Sequence, residues 1–308
     1  MDNMNYKTPL IIEQHIHGAF GIDFNRAKNT DELLFVADRL LHEGIGGFYP
    51  TLVTDSAENI KRQTELIKRA SQKCPHILGI HLEGIFINPD KKGIHNTQHF
   101  LPLTVDNYKL IEDDFIKIVT LAPELDEGLI DYLKSKGIKV QAGHCVGGDL
   151  TKVDGVTHTY NAMAGINHRE KTTALAALTN DSLYAEIIAD GVHVNEDALK
   201  LFFKSKPEDK VILISDALPI TGSNIRETVF ADSKIYYNGT KATSADGTIA
   251  GSTTLLNKII KLLAENGLFN PQYIINPYNY HRLSPKGEIV WNGDWTISHI
   301  TYEGRKIL

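Results

Sequence analysis

Short apolar segments alternate with amphipathic stretches along most of the chain. Several of the amphipathic stretches end on glycine, as TDELLFVADRLLHEG does at Gly44, and there Thr30 or Asp31 is the expected helix cap. Strands that alternate with helices predict parallel β-α-β units, and eight such units close a (β/α)8 TIM barrel. The eight apolar segments are TPLIIEQHI, GGFYPTLV, ILGIHLEG, FIKIVTLAP, KVQAGH, VTHTYNA, YAEIIADGVH and VILISDAL.

Three parts of the chain depart from this alternation. Only CVGGDLTKVDGVT follows His144 before His158, which is too short for a full crossover helix. Residues 9–283 are expected to form the barrel, with a β-hairpin insertion at about 222–250. Residues 284–308 alternate in period two and predict a few antiparallel strands of a small β-appendage.

Composition and charge restrict the possible partners. The 308 residues carry a formal net charge of -6, so no basic surplus is available to neutralise the phosphates of a nucleic acid. The two cysteines form no disulfide framework and indicate a reducing compartment. No secretory signal and no apolar run of membrane-spanning length is visible, so we expect a soluble, cytoplasmic protein without a membrane partner.

Polar side chains collect at or near the carboxyl ends of the predicted strands. In a barrel these ends form one rim, where active sites are built. Residues that are distant in sequence are therefore expected to converge there. They are His15, His17, Glu83, His144, His158, His193 and Asp216.

These residue types suit a metal site, although each one alone has a simpler explanation. His15 and His17 are two apart, so in a strand they face the same side as metal ligands or as polar residues at a strand end. Glu83 follows an apolar run, where a carboxylate needs a metal or a lysine partner. Glu83, His144 and His158 together supply an open zinc site, whereas each histidine alone suits a hydrogen-bonded core residue. Bound zinc lowers the pKa of its water to about 7.

The remaining polar residues suggest proton transfer and anion binding. Asp216 ends the eighth segment and can exchange a proton with water and a leaving group, with a helix N-cap as the alternative. His193 and Arg169 could bind an anion, and the guanidinium fork suits phosphate, although Arg169 alone more often marks a surface salt bridge. Asn161 and the backbone around Ala162 could add donors. No dinucleotide or Walker motif is present, so no nucleotide cofactor is expected.

Eight motifs occur in a fixed order between residues 9 and 266. They are HLEGIFINPDKKGIHN, VTLAPE, AGH, THTYNAM, HRE, ADGVHV, SDALPITG and GTIAGS. In their combination and order they resemble the N-acetylglucosamine-6-phosphate deacetylase family of the amidohydrolase superfamily.

The resemblance implies a role for each matched position. Glu83, His144 and His158 correspond to ligands of a divalent metal, usually zinc, Asp216 to the catalytic acid/base, and His95 to the histidine that polarises the acetamido carbonyl. The reaction implied is hydrolysis of an N-acetylhexosamine 6-phosphate to acetate and an amine, in a homodimer whose second subunit contributes near the phosphate. Substrate contacts are implied for Asn161, Ala162, Arg169, His193, Ile249, Ala250 and Gly251.

The chain departs from the family pattern in several places. Ile85 replaces the proline of the family's HLEGP, and Lys171 replaces the proline of REPG, which leaves the loop beside Arg169 open to a different structure. The N-terminal part of the family's small β-domain is expected to be missing.

The His15 and His17 pair is absent from some family members. Its presence here predicts that a second metal ion can bind beside the first, with Glu83 or Asp216 shared between the two. Two alternatives remain for the function: the same chemistry on N-acetylgalactosamine 6-phosphate or another N-acyl compound, and a non-catalytic relative that only binds a ligand.

Overall fold

The computed structural model describes residues 6–308. Its strands are β1 Tyr6–Pro9, β2 Ile11–Ile16, β3 Gly18–Ala19, β4 Ile22–Asp23, β5 Ile45–Val53, β6 Ile80–Glu83, β7 Ile116–Leu121, β8 Lys139–Ala142, β9 Gly155–Val156, β10 Tyr184–Ile188, β11 Val211–Ile214, β12 Glu227–Phe230, β13 Ser233–Tyr237, β14 Ala242–Ser244, β15 Ile249–Gly251, β16 Gly287–Trp291, β17 Ile297–Tyr302 and β18 Arg305–Lys306. Its α-helices are α1 Thr30–His42, α2 Ala57–Ser71, α3 Val105–Lys109, α4 Leu129–Ser135, α5 Thr173–Thr179, α6 Glu196–Ser205, α7 Leu256–Glu265 and α8 Gln272–His281. None of these helices is long and apolar enough to cross a membrane.

Eight parallel strands form the barrel in the order β2, β5, β6, β7, β8, β9, β10 and β11. The ring closes between β2 and the segment after β11. The backbone N–H of Asp216 donates to the carbonyl oxygen of His15 at 2.9 Å, and that of His17 donates to Ala217 at 2.9 Å. The predicted (β/α)8 barrel is confirmed. Six of its eight strands lie within a predicted segment, and β5 and β9 begin one residue before theirs, at Ile45 and Gly155. Because β2 meets β11, the first and last of these segments present their polar ends side by side.

The helices outside the barrel bury one apolar face each. α1 begins after Asn29, whose side chain accepts the backbone N–H of Glu32, so the cap lies just before the predicted Thr30 or Asp31. The buried residues of α1 recur at helical spacing. They are Leu33, Val36, Ala37, Leu40 and Leu41.

The link between β8 and β9 contains no α-helix, in agreement with its short sequence. Asp154 closes this link by two hydrogen bonds to Val140. Its backbone N–H donates to the Val140 carbonyl at 2.8 Å, and its carboxylate accepts the Val140 N–H at 2.9 Å. These two hydrogen bonds hold the short link against β8. His158 therefore still lies at the rim.

A second sheet combines both ends of the described chain, in the order β1, β16, β17 and β18. Trp291 is fully buried there, and its indole N–H donates to Thr8 Oγ1 at 2.8 Å. The sequence assigned Thr8 and Pro9 to the first barrel strand, and this assignment is wrong. Pro9 lacks an N–H, and the edge position of β1 in the second sheet accommodates it.

The insertion after β11 is a four-stranded antiparallel sheet of β12, β13, β14 and β15 rather than a single hairpin. A lone hairpin is marginally stable, whereas four strands bury Phe230, Ile235 and Ala242 in a common apolar cluster. The sheet is tied to the rim through Ser252, whose backbone N–H donates to the carbonyl of Asp216 at 2.9 Å.

Candidate metal centre and active site

The carboxylate of Glu83 lies at the centre of the rim, at the end of β6. Its Oε1 is 2.8 Å from Nε2 of His158 and 3.2 Å from Nε2 of His144. Its Oε2 is 3.1 Å from Nε2 of His17 and 3.4 Å from Nε2 of His15. The two oxygens of one buried carboxylate therefore face two different histidine pairs.

On the Oε2 side, Asp216 completes a second group of ligand atoms. Its Oδ1 is 3.1 Å from Nε2 of His17 and 3.4 Å from Nε2 of His15. The other ring nitrogens contact protein oxygens: Nδ1 of His15 lies 3.1 Å from Glu186 Oε2, and Nδ1 of His17 lies 3.3 Å from the Thr51 carbonyl. Both rings are thereby oriented with Nε2 towards the centre, as in proteins whose histidines hold a metal.

On the Oε1 side, Nε2 of His144 and Nε2 of His158 lie 3.1 Å apart. Two imidazole lone pairs at this distance repel each other unless a proton or another cation lies between them. Nδ1 of His144 is 2.8 Å from the carbonyl of Lys91, which orients the ring. This side, too, presents nitrogens that a cation would satisfy.

The backbone is strained where it delivers these side chains. His144, His158 and Asp216 have φ values of 50°, 29° and 53°, in the left-handed region that residues other than glycine rarely adopt. Ile85 has a φ of 64°, which is exceptional for a β-branched residue, and Ala162 has a φ of 46°. Such strain persists where surrounding structure imposes it, and it clusters at functional sites.

The electrostatics of the rim favour added positive charge. Burial alone would lower the pKa of His17, but hydrogen bonds to Asp216 and Glu83 raise it to about 9. Burial likewise disfavours a charged His15, yet the charges of Glu83 and Asp216 raise its pKa well above the usual value. Burial would raise the pKa of Glu83, and the histidines around it, His15 first, hold it well below its usual range. The same negative charges of Glu83 and Asp216 would stabilise a divalent cation at the rim.

His95 extends the site on the side of the loop after β6. Its Nδ1 is 2.7 Å from Thr54 Oγ1, and its Nε2 is 3.7 Å from Glu83 Oε2. Burial and the neighbouring His144 keep the pKa of His95 well below its usual value, so the ring is neutral. A neutral ring offers one N–H donor and one acceptor.

A cavity of about 270 Å³ opens above these groups. It gathers eleven of the residues predicted from the sequence for the site. Those lining it are His17, Glu83, His95, His144, His158, Asn161, Ala162, His193, Asp216, Ile249 and Ala250. His15 lies beneath, in contact with Glu83 and Asp216.

Two comparisons with known proteins agree with this geometry. The chain is 34% identical over 268 residues to the N-acetylglucosamine-6-phosphate deacetylase of Bacillus subtilis (strain 168), a match that covers 81% of this chain and 67% of that protein. It is 30% identical over 295 residues to the N-acetylgalactosamine-6-phosphate deacetylase of Escherichia coli O157:H7, covering 89% and 76%. The chain belongs to the N-acetylglucosamine-6-phosphate deacetylase family. The resemblance noted in the motifs is confirmed.

The fold is also that of a solved structure. The N-acetylglucosamine-6-phosphate deacetylase of Thermotoga maritima superposes with a TM-score of 0.90 at 24% sequence identity, over 98% of this chain and 88% of that one. No protein-family model matches the sequence.

Two predicted substrate residues lie outside the cavity wall. Arg169 is on the exposed loop after β9, where its Nε donates to Nε2 of His168 at 3.1 Å, and Lys171 is exposed nearby. Gly251 is buried behind the wall, where a Cβ would lie 2.9 Å from the carbonyl oxygen of Asp216. A contact of Arg169 with substrate stays a prediction, as do the roles assigned to the other site residues.

Two buried carboxylates of β10 and its extension were missed by the sequence reasoning. Asp190 accepts from Ser252 Oγ at 2.8 Å and lies 2.9 Å from Nδ1 of His193, and these contacts orient the ring and the segment after β15. Glu186 is fully buried beneath His15. Both lie in the predicted strand segment YAEIIADGVH, and acidic residues within a buried segment were the available signal.

The described residues contain three groups of side chains able to hold a metal ion. They are His15, His17 and Glu83; Glu83, His95 and His144; and His15, His81 and Glu186. Imidazole nitrogens and carboxylate oxygens suit zinc and similar divalent ions. His15 Nε2 is buried without a hydrogen-bond partner among the described atoms, and such an atom is destabilising unless a ligand satisfies it. The residues present therefore fit a divalent metal ion such as zinc.

Proposed function

We propose that this protein hydrolyses the N-acetyl group of an N-acetylhexosamine 6-phosphate, with N-acetylglucosamine 6-phosphate as the first candidate substrate. The observation that carries the proposal is the Glu83 carboxylate between two histidine pairs, with Asp216 3.1 Å from one of them, in a member of this family. A ligand-binding relative without activity would have no use for Asp216 beside this metal centre.

Zinc is the proposed metal. Glu83, His144 and His158 would hold the first ion, and His15 and His17 would hold a second, with Glu83 shared between the ions. When bound, such an ion polarises the substrate carbonyl and lowers the pKa of a bound water towards neutrality. Metal content that never exceeds one ion per chain at saturating supply would contradict the second site.

Asp216 and His95 supply the proton chemistry in this proposal. Asp216 accepts a proton from the attacking water as the water oxygen bonds to the acetyl carbon. It then returns that proton to the amine nitrogen as the carbon–nitrogen bond breaks, which releases acetate and the amino sugar. His95 donates a hydrogen bond to the carbonyl oxygen as negative charge develops there. Ser252 holds the Asp216 backbone through the 2.9 Å hydrogen bond described above.

The sugar would occupy the outer cavity, between Asn161, Ala162 and His193 on one side and Ile249 and Ala250 on the other. The described lining residues include no lysine or arginine, so the phosphate needs a cation from outside the lining. Arg169 or a second subunit of a homodimer is the proposed source. A cytoplasmic location is also proposed, in keeping with two free, buried cysteines.

N-acetylgalactosamine 6-phosphate is the second candidate substrate. The Escherichia coli relative that carries this name aligns over 295 residues, a longer stretch than the Bacillus subtilis match. The metal ligands and Asp216 contact only the acetamido end of the proposed substrate, so they serve either sugar epimer equally.

Acetate release measured on three compounds tests the proposal. The zinc-loaded protein is expected to hydrolyse one of the two N-acetylhexosamine 6-phosphates with a kcat/KM at least about tenfold above that for unphosphorylated N-acetylglucosamine, since a hydrogen bond to a charged group contributes about 1.5–3 kcal/mol. Equal rates with and without phosphate would refute the anion site, and no release from any compound would refute the activity.

The variant Asp216→Asn separates chemistry from metal binding. Its turnover should fall by about 10³-fold or more, because it removes the group that transfers the proton. The first metal ion should remain bound, since Glu83, His144 and His158 are retained. Near-normal turnover in this variant would refute the role of Asp216.

A further inference from the structure

The hydroxyl of Thr54 and the ring of His95 form a buried pair beside the metal centre. Thr54 follows β5 and is fully buried, and its Oγ1 lies 2.7 Å from Nδ1 of His95. We propose that Thr54 is a positioning residue that holds His95 in the tautomer with its proton on Nε2. The ring is then a hydrogen-bond donor to the substrate and not a metal ligand. The donor role rests on the function proposed above, whereas the tautomer itself does not.

The proton of the Thr54 hydroxyl has one available acceptor among the described residues. Oγ1 already accepts the backbone N–H of Ile85 at 2.8 Å. Among the described atoms, Nδ1 of His95 is the acceptor within hydrogen-bond distance of this hydroxyl. If Nδ1 carried a proton, Oγ1 would accept two hydrogen bonds and its own proton would have no partner in a buried environment, which is unfavourable.

Glu83 lies on the opposite side of the His95 ring from Thr54. Nε2 of His95 faces Oε2 of Glu83 at 3.7 Å. A carboxylate oxygen attracts an N–H and repels a nitrogen lone pair, so Glu83 also favours the proton on Nε2. Both neighbours of the ring therefore select the same tautomer.

The loop after β6 packs closely around the Thr54–His95 pair. A Cβ at Gly84 would overlap the Thr54 hydroxyl and lie 2.8 Å from Nδ1 of His95, and Gly84 has a φ of 113°. Ile85, with a φ of 64°, then turns its N–H towards Thr54. Two successive residues thus adopt unusual backbone conformations, and the result is a close fit around the Thr54–His95 contact.

The tautomer decides the chemical role of His95. Glu83, His95 and His144 are one of the groups that could hold a metal ion. With a proton on Nε2, the ring cannot ligate through that atom and remains a donor aimed into the cavity. With the proton on Nδ1, Nε2 would present a lone pair and become a competing ligand. Loss of the Thr54 hydroxyl removes the hydrogen-bond donor that keeps Nδ1 of His95 without a proton.

The variants Thr54→Val and Thr54→Ser form a matched pair for the test. Valine keeps the shape and removes the hydroxyl, whereas serine keeps the hydroxyl. Ring nitrogen shifts and their coupled carbon-bound protons are measured by NMR on zinc-loaded protein labelled with ¹⁵N-histidine. The His95 signals are assigned as those absent from the variant His95→Gln.

We expect the unaltered protein and Thr54→Ser to show His95 with its proton on Nε2. In Thr54→Val the signals should shift towards the other tautomer or towards a metal-bound nitrogen. On the substrate that the protein hydrolyses, kcat of Thr54→Val should fall by about 10- to 100-fold, less than the roughly 10²- to 10³-fold cost of removing an oxyanion donor outright, with KM little changed. Thr54→Ser should recover most of this loss.

A proton on Nδ1 of His95 in the unaltered protein would overturn the proposal, even if Thr54→Val failed to fold. An unchanged Nε2–H signature in Thr54→Val would overturn it as well. Failure of the proposed function gives a different result: no acetate is released by the unaltered protein, while the tautomer still depends on the Thr54 hydroxyl.

Discussion

Histidines buried at the rim and histidines buried deeper in the barrel prefer opposite charge states. At the rim, carboxylates overcome the effect of burial and raise the pKa of His17 to about 9 and that of His15 well above its usual value. In the interior, burial lowers the pKa of His81 to about 3, and burial also lowers that of His281, at the end of α8, to about 3. His15, His17 and His81 are almost completely withdrawn from water and His281 is partly buried, so the extent of burial does not explain the difference.

The difference lies in the partners. His81 contacts the Gln14 carbonyl at 3.0 Å and Thr120 Oγ1 at 2.7 Å, and Nε2 of His281 lies 2.8 Å from Gln14 Oε1. These partners are neutral, and each interior ring is satisfied as a neutral group. At the rim the partner is Glu83, whose two oxygens are shared among the surrounding rings. A carboxylate placed against a buried histidine favours positive charge at that ring, and neutral partners do not.

The variant Glu83→Gln tests this conclusion with the largest expected effect. The amide removes the negative charge shared by both histidine pairs, so zinc content should fall to near zero. Turnover should fall by at least about 10³-fold, because the several kcal/mol of charge stabilisation from the metal is lost with it. Metal analysis and acetate release measure the two effects. Glu112→Gln, far from the rim beside Tyr132, is the matched control and should keep both properties. Retention of stoichiometric zinc in Glu83→Gln would contradict the shared carboxylate.

A smaller effect is expected beneath the rim, at Glu186. Its carboxylate is 3.1 Å from Nδ1 of His15 and accepts the side-chain amide of Gln14 at 2.5 Å. Although burial raises the pKa of Glu186, the contact with His15 lowers it to about 2, so the group is ionised. A charged partner of this kind orients the ligand ring and increases its basicity.

The variant Glu186→Gln should therefore weaken the second ion more than the first. Calorimetric titration of the metal-free protein with zinc should show a loss of about 10- to 100-fold in the affinity of the site at His15, as expected for an outer-shell partner. The site at His144 and His158 should change less, because Glu186 contacts no ring there and accepts only the backbone N–H of His158, at 3.3 Å. Thr120→Val alters the same buried layer without touching His15 and is the control. Equal weakening of both sites would mean that Glu186 stabilises the barrel as a whole.

The sequence predicts the residues of the rim better than the buried residues that orient them. His15, His17 and Asp216 were found because a residue at the end of a barrel strand must face the rim, whichever strand carries it. Thr54 and Glu186 were not found, because their roles depend on contacts with rings contributed by other strands. An acidic residue within an apolar segment was the one local signal for Glu186, and no local pattern marks Thr54. Prediction was least complete in the segments between strands.

Two local assignments show why those segments resist prediction. Pro9 continues an apolar run, but the pairing of β1 with the distant β16 removes it from the barrel strand. Arg169 lies on a loop whose course depends on long-range packing, and the structure places it on the exposed surface rather than in the cavity wall. In both cases the deciding partner is far away in the sequence.

The smallest expected effect concerns the interior histidines and the pH dependence of stability. The pKa of His281 is about 3 in the folded protein and near 6.5 when the chain unfolds. Below pH 6.5 the unfolded chain therefore takes up a proton that the folded protein does not, and stability is lost as the pH falls from about 6.5 towards 3. Between pH 7.5 and 5.5 this loss amounts to about 1 kcal/mol.

The variant His281→Gln can still donate to Gln14 and has no titrating ring. Urea unfolding of the metal-free proteins at both pH values should show a free energy of unfolding that falls by about 1 kcal/mol less in the variant. Equal pH dependence in the two proteins would mean that the pKa of His281 is the same in the folded and unfolded chain, and burial with neutral partners would then no longer distinguish the interior rings from those of the rim.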